Sequence, residues 1–94
     1  MTTKKLRYLP YGQAHIENDD NGEIRLVSYV TTVVTVSPKG WVKVRGLYSM
    51  TTRRHIGAFF REMFGLAYQT ARRLYDDDME YNYLTGEVRT YEGE

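Results

Sequence analysis

The chain has 94 residues, 41% of them hydrophobic and 14% aromatic, with no cysteine and a net charge of +1. That length supports one hydrophobic core and one domain, residues 1–94, and the apolar content is enough to fold it. The lack of cysteine excludes disulfides, thiolate catalysis and zinc sites built on sulfur. No apolar run approaches the ~20 residues of a membrane span. Met1 to Arg7 lacks the apolar core of a signal peptide, so the expected location is the cytoplasm.

In chain order, a break at Pro10-Tyr11-Gly12 precedes a short strand expected over Gln13 to Glu17. Asp19-Asp20-Asn21-Gly22 is a turn signal, since Asn-Gly supplies the positive φ of tight hairpins. Ile24 to Val36 is rich in β-branched residues and reads as one long strand. Period two puts Ile24, Leu26, Val30, Val34 and Val36 on one face. Ser37-Pro38-Lys39-Gly40 is the next turn. Trp41 to Tyr48 then alternates, with Val42 and Val44 inward and Trp41, Lys43 and Arg45 outward, an aromatic flanked by two cations.

A first helix is expected to begin near Ser49 to Thr52, whose hydroxyls can cap free N–H groups. Ile56, Phe59, Phe60 and Met63 follow the i, i+3, i+4, i+7 spacing of one buried stripe. Gly65 ends this helix in a left-handed cap, with Leu66 folding back on Phe60. A second helix covers about Ala67 to Asp76, with Ala67, Ala71 and Leu74 inward. Glu80 to Leu84, Thr85-Gly86 and Glu87 to Tyr91 form a last strand or hairpin. The whole is an α+β fold: an antiparallel sheet of three to five strands with two short helices packed on one face. Its expected core is Ile24, Leu26, Val30, Val34, Val42, Val44, Ile56, Phe59, Phe60, Met63 and Leu74.

Charge is divided along the chain. Residues 1–75 hold 12 basic against 5 acidic residues, a net of +7, and residues 76–94 hold one against seven, a net of −6. Arg53, Arg54 and His55 sit in the first turn of a helix, where cations cost about 0.3–1 kcal/mol each. Asp76, Asp77 and Asp78 sit where the second helix ends, again the unfavourable sign. Three explanations compete for these broken rules. The two clusters pair within the fold or across a homodimer; Thr51, Thr52, Arg53 and Arg54 bind an anion such as a nucleic-acid phosphate; or these residues rim a protein–protein contact.

Catalytic readings are weaker. His15 and His55 are the only histidines and share no metal-ligand spacing, and consecutive acids on a helix diverge. There is no glycine-rich phosphate loop, no G-x-S-x-G and no H-E-x-x-H. The expectation is no enzyme, no cofactor and no metal. Two surfaces are candidates for a partner. One is basic, with Arg53, Arg54, His55, Thr51, Thr52, Trp41, Lys43 and Arg45. The other is acidic and aromatic, with Asp76, Asp77, Asp78, Glu80, Tyr81 and Tyr83, and it could imitate nucleic acid toward a basic protein groove. In the nucleic-acid alternative, Trp41 stacks on an unpaired base.

Ser28-Tyr29-x-Thr31-x-Val33, then Gly46-x-Tyr48-Ser49-x-Thr51-Thr52-Arg53-Arg54-His55-Ile56-x-x-Phe59, resembles a small uncharacterised domain of phages and prokaryotic mobile elements. The likeness covers roughly residues 24–64, with Tyr81-Asn82 and Thr85-Gly86-Glu87 continuing it. The resemblance implies a phage accessory setting. Proteins of this size there often bind and redirect a host protein, inhibitors of host defence such as anti-CRISPRs among them.

Overall fold

A computed structural model describes residues 2–5 and 14–90. The Pro10-Tyr11-Gly12 break, Gln13 and Tyr91 lie outside the described residues. Seven strands form one sheet in chain order: β1 (Thr2–Lys5), β2 (Ala14–Asn18), β3 (Ile24–Ser28), β4 (Thr31–Val36), β5 (Trp41–Val44), β6 (Met79–Asn82) and β7 (Val88–Thr90). Every neighbouring pair is antiparallel. Helices α1 (Met50–Phe64) and α2 (Tyr68–Asp76) enter between β5 and β6. Their tight connection lets β6 return beside β5, so α1 lies over β3 and β4, and α2 over β5 and β6.

Register explains the core. Ile16, Leu26, Val34 and Val44 stand in one cross-strand row, and Ile24, Val36 and Val42 in the next. Directly opposed apolar side chains are the unit of sheet stabilisation, and these rows meet Ile56, Phe59, Phe60, Ala71 and Leu74 from the helices. A bulge between β3 and β4 inserts Val33, so Val33 and Val34 are both fully buried despite being adjacent. The opposite sheet face carries Glu17, Arg25, Thr35 and Lys43 in one polar row.

Three expectations change. Among the described residues the sheet has seven strands rather than three to five. One reason is β1, Thr-Thr-Lys-Lys, an edge strand whose polar composition carries no apolar alternation. Another is that Ile24 to Val36 is two strands joined at Tyr29-Val30, so Val30 is 93% exposed at the tip instead of in the core. Tyr29 adopts φ 59° there, a left-handed conformation costing about 1–3 kcal/mol in a non-glycine residue. Contacts with α1 offset that strain, because Ser28 hydrogen-bonds two α1 side chains and the Tyr29 ring lies 5.8 Å from the His55 ring. Finally, Ala67 is the exposed N-cap of α2 and not part of its inner face. The rest of the expected core is in place, Ile24 and Met63 being partly buried at its margin.

Helix α1 starts and stops as its end residues dictate. The Ser49 hydroxyl accepts the Thr52 N–H at 3.1 Å. Gly65, at φ 70°, ends the helix: its N–H reaches the Arg61 carbonyl, and the Leu66 N–H reaches that of Phe60.

Candidate functional site

Two stripes run along α1. The buried one is Thr52, His55, Ile56, Phe59 and Phe60. It extends the apolar stripe legible in the sequence by one turn toward the N-terminus, taking in two polar residues. The second stripe, Met50, Arg53, Arg54, Gly57, Ala58 and Arg61, has the same 3.6-residue period on the outer side. Together with Tyr68 at the start of α2 it lines an open groove of about 540 Å³, within the ~300–1,000 Å³ of ordinary ligand clefts. Gly57 brings α2 close to α1 at the groove. A Cβ there would stand 3.3 Å from the Tyr68 Cβ, so its absence lets α2 start against the middle of α1.

The groove therefore has a floor of small and apolar groups beneath three guanidinium groups. Arg54 and Arg61 are exposed, and Arg53 is half-buried, its Nε donating to the Leu47 carbonyl at 3.3 Å. No acidic residue occupies the first turn of α1. The positive end of the helix macrodipole thus acts in the same sense as Arg53 and Arg54, toward a negatively charged occupant, while Arg61 lies in the last turn. Arg61, Met50, Gly57, Ala58 and Tyr68 were not among the residues the sequence singled out. Their signal was the spacing 50, 53, 54, 57, 58, 61, a helical stripe whose common property is charge around a gap instead of hydrophobicity.

The other candidates are dispersed. Thr51 is half-buried and Arg45 is exposed just beyond β5. Trp41 and Lys43 lie on the sheet face away from the helices, because β5 alternates and Val42 and Val44 face the core. One face of the Trp41 ring is taken by the Arg89 guanidinium, 3.8 Å from its centre. Lys43 was expected outward but is only 9% exposed, its Nζ reaching Asp78 Oδ1 at 2.6 Å. Asp78 accepts this bond from a left-handed backbone, φ 53°, just past the helix end. Asp76 pairs with Arg72 one turn back at 3.5 Å, and Asp77 is the C-cap of α2. Glu80 holds Arg89 at 2.8 Å, Tyr81 packs against the core, and the Tyr83 ring lies 5.0 Å from that of Phe64. The acidic run thus has structural work within the sheet and α2.

His55 is the largest departure from expectation. The sequence groups it with the basic partner surface, yet it is 0% exposed, because its position continues the buried stripe. Its Nδ1 lies 2.7 Å from Ser28 Oγ, which is 3.1 Å from Thr52 Oγ1, which in turn accepts from Ser49 Oγ at 3.2 Å. His55 Nε2 is buried with no hydrogen-bond partner among the described residues. The tautomer with Nδ1–H donating to Ser28 leaves only a bare lone pair unpaired, cheaper than an orphaned N–H. Because Ser28 and His55 are both sealed from solvent, this pair is a bolt between β3 and α1.

Burial holds the His55 pKa below its ordinary value of 6.5. The folded state keeps the ring neutral, while the unfolded chain takes up the proton as pH falls below about 6.5. Stability is therefore complete above that pH and is lost as pH falls through the folded pKa. Melting temperatures between pH 7.5 and 4.5 should fall more steeply for the wild type than for His55→Gln. Parallel curves would mean that the ring charges freely in the folded protein.

Among the described residues no three His, Asp or Glu side chains gather as a metal site requires. No helix among them is long and apolar enough to cross a membrane. The fold and groove define a small α+β protein with an antiparallel meander, two helices on one face and an arginine-ringed groove on the outer helix. It belongs to a family of unknown function (DUF8033), matched over residues 2–80, a span that includes the whole groove. No curated protein and no solved structure matches the chain.

Proposed function

We propose that this chain is a non-enzymatic binding protein whose α1 groove engages another protein. The observation that carries this reading is the pairing of three arginines with an apolar floor of Gly57, Ala58, Met50 and Tyr68. Arginine and aromatic residues around a recess that excludes water are what protein interfaces concentrate. Met50 adds an exposed thioether, a group that adapts to varied apolar shapes. The setting we propose, a phage or mobile element acting on its host, rests on the resemblance of Thr51-Thr52-Arg53-Arg54-His55-Ile56 and its flanks. An inhibitor of a host defence system fits that setting.

Nucleic acid is the second reading, favoured by Arg53 and Arg54 at a helix start. It draws less support than the sequence suggested. Arg89 takes one face of the Trp41 ring and Asp78 holds Lys43, both on the far sheet face, and phosphates need no apolar floor.

Photo-crosslinking distinguishes the two. A benzoylphenylalanine placed at Ala58, on the groove floor, should give a covalent adduct with a protein when irradiated in host lysate. The same probe at Thr35, on the polar sheet face, should give none. Adducts to nucleic acid from position 58, or protein adducts from position 35 alone, would overturn the reading.

A further inference from the structure

The groove's chemistry narrows what it can hold, given that it is a protein-binding site as read above. Along α1, Met50 to Arg61 is 11 steps of about 1.5 Å, or about 16 Å and three helical turns. Arg53, Arg54 and Arg61 stand at both ends of that length, with Gly57 and Ala58 between them. An occupant must bring negative charge to both ends and apolar side chains to the middle. Polyanions of uniform charge satisfy the first condition but leave the floor uncovered or wet. A neutral apolar segment satisfies the second but desolvates guanidinium groups without repaying them. An amphipathic helix satisfies both, with apolar anchors at i, i+3 or i+4, and i+7 and carboxylates on its flanks.

We propose that the groove captures an acidic amphipathic helix of the partner, its apolar side chains on Gly57, Ala58 and Met50 and its carboxylates on Arg53, Arg54 and Arg61. The carboxylates on Arg53 and Arg54 also lie toward the positive end of the α1 macrodipole, which favours negative charge there, whereas the carboxylate on Arg61, in the last turn, is held by the guanidinium alone. The arginine fork suits paired carboxylate oxygens, so Lys in place of Arg is a poor substitute at these positions. Charge complementarity commits the groove to an acidic segment; a second copy of this chain, or nucleic acid, is a competing occupant that the test separates.

The probe is a displayed library of random 14-residue peptides selected on the wild-type protein. Each enriched peptide is then titrated against wild type, Arg53→Glu/Arg54→Glu and Arg54→Glu/Arg61→Glu. The last pair is exposed and guards against a folding artefact from the half-buried Arg53. The expected result is enrichment of peptides with two or more Asp or Glu beside apolar residues at helical spacing. Their affinity should drop at least tenfold with either variant and weaken as salt is raised. Neutral or basic peptides, acidic peptides without apolar periodicity, equal binding to the variants, or an empty selection would each overturn the proposal. So would self-association of the wild type at ~100 μM that both variants abolish, which would make the occupant a second copy. If position 58 crosslinks a protein while the selected peptides are neutral, the acidic-helix inference falls and the groove's role as a protein site stands.

Discussion

Phe60→Ala is expected to destabilise the protein by about 3–5 kcal/mol. The ring is fully buried and packs edge-on against Phe64, 5.3 Å between centres at 84°, and against Phe59 at 6.3 Å and 63°. Phe59, Phe60 and Phe64 meet edge-on as a cluster of three rings, and removing the middle one leaves a cavity among stiff aromatic neighbours. The loss compares with about 5–15 kcal/mol of total stability for a domain, so the variant should be partly unfolded at 37 °C. Urea unfolding monitored by circular dichroism gives the value directly. A loss below ~1 kcal/mol, with an unchanged slope, would mean that the stripe does not face the sheet.

Much of this arrangement was legible because backbone geometry imposes a period. The stripe of Ile56, Phe59, Phe60 and Met63 announces its helix, Gly65 its end, and Asn21-Gly22 and Pro38-Lys39-Gly40 their turns. What escaped were features set by tertiary contact. The turn at Tyr29-Val30 contains no Gly, Asn or Pro; Ser28 and Tyr29 are held by His55 and Thr52, which lie 24 to 27 residues further on. His55 hides in the core with its Nδ1 satisfied by Ser28, a partner that spacing along the chain cannot reveal. Strand β1 has only Thr and Lys to mark it. The site was half legible. Arg53 and Arg54 drew notice by breaking a helix-end rule, but Arg61 obeys the rules in the last turn and so gave no signal. Only the folding of Tyr68 against Gly57 turns the three arginines into one recess.

Charge at the two helix ends now divides into two roles. The acidic run is engaged locally, by Lys43 at Asp78 and Arg72 at Asp76. The cationic start of α1 surrounds an open groove. Reversing charge at the two places should therefore have opposite consequences. Arg53→Glu/Arg54→Glu places carboxylates where the occupant's carboxylates must lie, converting attraction to repulsion at two positions of the kind that supply 2 kcal/mol or more each at interface hot spots. Affinity for the crosslinked partner should fall at least 100-fold, with a melting temperature close to wild type. Asp76→Lys/Asp77→Lys should lower stability modestly, by about 0.3–1 kcal/mol, through the lost Arg72 pair, and leave affinity within a factor of three.

Titration calorimetry of the partner captured at position 58 against the wild type and these two double variants is the most direct test of the groove as the contact. The account predicts that binding disappears with Arg53→Glu/Arg54→Glu and persists with Asp76→Lys/Asp77→Lys. Binding that survives reversal of the arginines and is lost on reversal of the aspartates would contradict it, and would move the contact to the end of α2.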